Sequence, residues 1–206
     1  MKDGARVVVA CGLLLAAEAA LAQTTSPSAW SFSAAANTYI LPDETDYVQP
    51  AFIADREKLH LEARYNYEDR KTASAWVGYN LSFGDRVTFD LTPMIGGVVG
   101  DTSGIAPGYK LSLGWRKLAL DSESEYLFDS SGSENNFFYT WSELSWAPAD
   151  WVHLGMVVQR TKAYQTELDI ERGFLVGFSW KKATFTTYVF PDPDRTSVVL
   201  GLTLNF

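Results

Sequence analysis

The chain predicts an all-β fold, a single antiparallel up-and-down transmembrane β-barrel of twelve strands, with ten as the alternative count. Three observations carry this. Apolar and polar residues alternate with a period of two almost throughout, helical periodicity is absent, and the links between segments sort into tight and long by turns. No internal repeat of 20 to 50 residues interrupts the pattern, and the 206 residues hold one domain once a leader is set aside.

The leader is residues 1–22. Lys2 and Arg6 are a basic start, "VVVACGLLLAAEAALA" is an apolar run broken by Glu18, and Ala20-Leu21-Ala22 is a small-x-small cleavage site before Gln23. Glu18 leaves the run short of the roughly 20 apolar residues of a membrane-spanning helix. Removing the leader removes Cys11, the only cysteine, so the mature domain 23–206 has no disulfide.

The strands follow in order at about 30–41, 47–56, 58–68, 71–83, 86–98, 107–116, 117–127, 136–146, 151–161, 170–181, 182–190 and 196–206. Most have about the 9 to 11 residues that a tilted strand needs to cross a bilayer. In 58–68, "KLHLEARYNYE", Leu59, Leu61, Ala63, Tyr65 and Tyr67 share one face, and Lys58, His60, Glu62, Arg64, Asn66 and Glu68 the other. The next three strands keep the rule with Ala73, Ala75, Val77, Tyr79, Leu81 and Phe83, then Val87, Phe89, Leu91, Pro93 and Ile95, then Tyr109, Leu111, Leu113 and Trp115. A charge at the bilayer midplane costs about 2 to 4 kcal/mol. These four strands place none there, so this parity is assigned to lipid and the charged parity to the lumen.

Three strands, the second, seventh and eighth, fit less well. Pro50 removes a ladder donor within the second strand. "FFYTWSELSW" reads in either phase or with a bulge near Ser142, and Ser122, Ser124, Thr140 and Ser142 then form either a polar lipid-facing patch suited to a protomer contact or a mis-phased segment.

Links after even strands are "REK", "FGDR", "WRKL", "APAD" and "WKKA"; those after odd strands, such as "PDETD", "GDTSGIAP" and "DSSGSEN", are mostly longer and acidic. Barrels of the outer membrane place short turns in the periplasm and long loops outside. Trp30, Trp115, Trp146, Trp151 and Trp180 gather at the tight-turn end, where an interfacial girdle belongs. The chain closes on "VVLGLTLNF", with Val198, Leu200, Leu202, Leu204 and Phe206 on one face. This ending resembles the signal by which the barrel assembly machinery recognises Gram-negative outer-membrane β-barrel proteins. The resemblance implies the cell outer membrane as location, the assembly machinery as a partner through Phe206, and lipid and lipopolysaccharide as surroundings.

The expected lumen-lining set is Lys58, His60, Glu62, Arg64, Arg86, Asp90, Lys110, Arg116, Asp121, Glu123, Glu125 and Glu143. Asp121, Glu123 and Glu125 stand at i, i+2 and i+4 on one face and need cations from neighbouring strands, or else take up a cationic or hydroxylated solute. Gly78, Gly96, Gly114, Gly155, Gly173, Gly177 and Gly201 share the inward parity, leaving space or allowing the sheet to coil. Arg160 and Arg172 share the lipid parity near the long-loop end, where a symmetric hairpin would set them opposite each other around a lipopolysaccharide phosphate.

A narrow passive channel for small polar solutes is the first functional reading, because twelve strands fall between a filled barrel and an aqueous pore. A plugged barrel with a structural, assembly or surface-interaction role is the second. An outer-membrane lipid-modifying enzyme is the third, and it lacks support: His60 and His153 are the only histidines and both fall on the inward parity. The net charge of −8 argues against nucleic acid. No cofactor, metal site or catalytic residue is expected. Narrow acidic-sugar porins also have twelve strands, but their strongly basic lumen differs from the mixed one expected here.

Overall fold

A computed structural model of the chain describes residues 29–42, 45–163, 169–193 and 196–206. The leader, Cys11 and residues 23–28 lie outside the described residues. The strands are β1 Ser31–Ile40, β2 Tyr47–Arg56, β3 Leu59–Tyr65, β4 in two segments (Thr72–Tyr79 and Leu81–Phe83), β5 Val87–Gly100, β6 Gly104–Trp115, β7 Leu118–Asp129, β8 Phe137–Ala149, β9 Val152–Ala163, β10 Asp169–Trp180, β11 Ala183–Phe190 and β12 Ser197–Asn205.

Each strand pairs antiparallel with the next, and β1 pairs with β12 from Ser33↔Asn205 to Ile40↔Val198. The sheet is therefore a closed up-and-down barrel of twelve strands with no free edge, as expected. Phe206 fastens the seam, its N–H bonding the Phe32 carbonyl at 2.9 Å.

At the tight-turn end, two-residue links join β2 to β3, β6 to β7, β8 to β9 and β10 to β11. Glu57, Arg116 and Lys181 occupy left-handed backbone there, at φ 55°, 57° and 55°. This twist matches that of the strands, at a cost to a residue bearing a Cβ. The opposite end carries the longer links, with one exception. The stretch 100–107 was expected to be a loop, but β5 and β6 extend through Gly104–Val98 pairing, leaving only residues 101–103 between them.

Proline explains the irregularities. The β4–β5 ladder runs to Gly78↔Met94 and resumes at Leu81↔Leu91. The gap falls opposite Pro93, which has no N–H to give, and it divides β4 at Asn80. Pro107 coincides with a similar gap in the β6–β7 ladder between Ile105↔Phe128 and Gly108↔Glu125. Pro50 pairs with Ala36 on the β1 side, while β2–β3 pairing stops at Ala51↔Arg64, so Pro50 sits where β3 has already turned away. The expected bulge near Ser142 is absent. Ser142 pairs with Ser122 and Val158 in unbroken register, and the shift lies instead between Val152 and Leu154, across from Pro148.

The outward parity carries exposed Leu59, Leu61, Tyr65, Val77, Tyr79, Ile95, Tyr109, Leu144, Met156, Phe174 and Leu202. Trp30, Trp115, Trp146, Trp151 and Trp180 are all exposed and ring the tight-turn end. Trp76 and Trp141 point inward instead. Ser122, Ser124, Thr140 and Ser142 do share the outer face. Their hydroxyls satisfy one another, Ser122 with Ser142 at 2.9 Å and Thr140 donating to Ser124 at 2.8 Å, while Ser124 donates to the Tyr139 carbonyl.

Candidate functional site

The lumen is built by strand alternation, which aims every second side chain inward. The inward groups form two buttresses that fill the barrel from opposite sides.

The first is ionic. Arg64 on β3 donates from Nε to Glu62 Oε1 at 2.8 Å and from Nη1 to Glu125 Oε2 on β7 at 2.9 Å. That second bond spans three intervening strands and draws a chord across the lumen. Lys110 Nζ on β6 lies 2.6 Å from Glu62 Oε2 and 3.9 Å from Glu123. His60 joins through Nδ1 to Asp55 at 2.9 Å and Nε2 to Glu62 at 3.2 Å. Asn80, freed by the break in β4, donates to Asp55 at 2.8 Å and accepts from Thr92 at 2.7 Å. Buried charges are tolerated when paired and hydrogen-bonded in this way.

The Arg64 guanidinium also lies between two rings, 4.2 Å from the Tyr67 centroid and 4.6 Å from Trp76. This placement corrects the assignment of Tyr67 to lipid. β3 ends at Tyr65, Asn66 takes φ 56°, and the chain turns over the barrel rim, so Tyr67 packs inward with its edge on Tyr139 at 5.9 Å. Trp76 lies flat on Gly96, where an added Cβ would meet the indole at 2.4 Å. Behind it Met94, Val98, Ala106 and Leu127 close the space.

The second buttress is apolar: Tyr39, Val157, Leu175, Tyr188, Phe190 and Val199. Trp141 meets Tyr188 and Phe190 edge-on at 5.1 and 5.6 Å, and its indole donates to Glu143 at 2.6 Å. Gly96, Gly173 and Gly177 are seats for large side chains, whereas Gly114 and Gly155 adjoin Thr88 and backbone. A Cβ at Gly177 would lie 2.0 Å from the His153 ring, and one at Gly173 would lie 2.9 Å from Phe190.

Between the buttresses remains a cavity of about 140 Å³. Its walls differ. β1, β2 and β12 contribute Ala35, Asn37, Ala51, Gly201 and Thr203, small and uncharged, whereas β7 and β8 contribute Asp121, Glu123 and Glu143. Asp121 Oδ2 is buried and accepts no hydrogen bond. Toward the long-loop end opens a vestibule of about 800 Å³, edged by Glu68, Asp69, Asp101, Asp129 and Glu134 together with Arg70. Tyr39, Gln49, Tyr67 and Tyr139 are walls of both spaces.

Among the sequence-predicted lumen residues, His60, Glu62, Arg64, Lys110, Glu125 and Glu143 lie inside and buried, with Asp121, Glu123 and Asp90 inside and partly exposed. Lys58, Arg86 and Arg116 are corrections: all three are exposed in links at the tight-turn end rather than in the lumen. Lys58 rests over Tyr79 and Arg116 over Trp115, because turn residues no longer follow the strand's alternation. The two lipid-parity arginines are exposed but not opposite each other, Arg160 pairing with Ile170 and Arg172 with Val158. The hairpin register, set two residues off symmetry, separates them diagonally. Tyr39, Tyr139, Tyr188 and Trp141 were not anticipated. Their signal was aromatic residues on an otherwise polar parity.

No family model matches the sequence, and no curated protein matches it. Solved structures do. The chain is similar to the KdgM porin over 84% of its length and 99% of that protein's, with 12% identity and a TM-score of 0.60. The KdgM porin in complex with disordered oligogalacturonate gives the same coverage at a TM-score of 0.63. The Acinetobacter baumannii outer membrane protein Omp33 aligns over 88% of this chain and all of its own, with 8% identity and a TM-score of 0.51. With the closed twelve-strand sheet, the girdled apolar exterior and the charged interior, these likenesses identify the fold as that of an outer-membrane β-barrel.

Proposed function

We propose that the protein is a narrow passive channel for small polar solutes in the outer membrane of a Gram-negative cell, exported with residues 1–22 removed and inserted by the assembly machinery through the Phe206 end. The observation that carries this is the incomplete filling of the lumen. The ion-paired buttress occupies one side, and an acid-lined cavity next to a wide vestibule remains beside it. A solid plug would leave no reason for Asp121 and Glu123 to stand partly exposed inside.

KdgM binds an oligogalacturonate, a polyanion, but the carboxylates of this lumen do not suit that cargo. Reconstitution in planar bilayers tests the proposal: discrete single-channel steps and liposome swelling in small sugars are expected. Silence in both would favour a closed barrel with a structural or surface role, a reading that the depth of the ionic buttress supports.

A further inference from the structure

The charges along the route from the vestibule to the central cavity are lopsided. At the mouth stand five carboxylates and Arg70, whose guanidinium donates to the Thr45 carbonyl at 2.8 Å and lies 4.9 Å from the Tyr47 ring. In the centre stand Glu62, Asp121, Glu123 and Glu143 with Lys110. Lys110 is committed to Glu62 at 2.6 Å, and at 3.9 Å it barely reaches Glu123. The carboxylates of β7 thus face across the cavity to a neutral wall six strands away on β1.

Aromatic rings stand over the same passage. Tyr39, Tyr67 and Tyr139 line both spaces, and Trp141 joins them in the inner one. Carboxylates attract any cation, but ring faces select a soft, weakly hydrated organic cation over a tightly hydrated one. Asp121, which lines the inner space, keeps one buried oxygen that accepts no hydrogen bond. An anion entering here would meet the same carboxylates, and among the described residues lining the central cavity the one cation, Lys110, is engaged by Glu62.

Resting on the channel reading, we propose that the solutes are small organic cations: a guanidinium or ammonium group passes the tyrosine collar and exchanges onto Glu123 and Asp121. The neutral wall of Ala35, Ala51 and Thr203 leaves room for the rest of the solute. The acidic vestibule concentrates such cations before entry.

The mature chain in planar bilayers under a potassium chloride gradient gives the ionic selectivity, and arginine, glutamate and glucose uptake into liposomes gives the solute class. A potassium-over-chloride permeability ratio above about 5 is expected. Glu123→Gln and Asp121→Asn together are expected to lower it at least about threefold while single-channel steps persist. Arginine should enter faster than glutamate or glucose, and Tyr139→Leu should reduce that lead. If a carboxylate variant does not insert, Thr203→Lys on the opposing wall must lower the ratio in the same way. Steps without cation preference, a ratio unmoved by these substitutions, or arginine uptake no faster than glutamate overturns the cation proposal alone. Silence to every ion overturns the channel reading and this one with it.

Discussion

Replacing Arg64 tests how the lumen is held. Its side chain is almost wholly buried, and it makes two charge-assisted bonds at 2.8 and 2.9 Å to carboxylates on different strands. Hydrogen bonds to charged groups contribute about 1.5 to 3 kcal/mol each. Removing one partner of a buried pair typically costs about 3 to 5 kcal/mol, since the remaining charge is stranded.

In Arg64→Met, Glu62 keeps Lys110 and His60, but among the described residues Glu125 has no other ion pair. Met retains the apolar contact with Tyr67 and Trp76 and forfeits the cation–π share, about 1 kcal/mol or more when desolvated. We therefore expect a loss of about 3 to 4 kcal/mol, most of it on the Glu125 side. Adding Glu125→Gln should recover about half, because the stranded charge is then gone. Arg64→Lys should still lose about 1 to 2 kcal/mol, lacking the planar fork that reaches both acids.

Urea unfolding in lipid vesicles, followed by tryptophan fluorescence, measures all three. A loss below about 1 kcal/mol for Arg64→Met, or a double variant weaker than the single, would refute the view that this chord braces the barrel.

Three other perturbations bear on different parts of the molecule. Gly177→Ala would drive a Cβ to 2.0 Å from the His153 ring; overpacking costs of about 1 to 3 kcal/mol are expected in the same unfolding assay, largely relieved by His153→Ala. Glu57→Gly relieves a left-handed residue at φ 55°; the roughly 1 to 2 kcal/mol released exceeds glycine's entropic cost of about 0.5 to 1, so a small gain is expected. If Arg160 and Arg172 hold lipopolysaccharide phosphate, the double alanine variant should lose retention on lipopolysaccharide-containing vesicles without a change in unfolding midpoint, although the two stand diagonally rather than face to face.

The positions that sequence reading misplaced share a cause. Lys58, Arg86 and Arg116 were projected inward by continuing a strand's parity into a turn, and Tyr67 outward by continuing β3 past Asn66. Alternation is a property of extended backbone and ends where φ changes sign. The break in β4 shows a related limit: the ladder lapses at Tyr79 and Asn80 where Pro93, distant in sequence, stands across from it without an N–H.

By itself the sequence determined which face of each strand meets lipid and which meets the interior, and with it the barrel, its girdle and its closing strand. Those follow from a local rule, the period of two, acting against a costly solvent. Only the tertiary structure decided which inward charges meet. Arg64 and Glu125 are 61 residues apart with three strands between them, and they pair because closure bends the sheet until its inner faces confront each other. The same closure gathered Trp141, Tyr188 and Tyr39 into one wall and left the acids of β7 facing the alanines of β1 and β2. Side-chain reach across a closed lumen depends on strand number and register together, and no stretch of sequence encodes it locally.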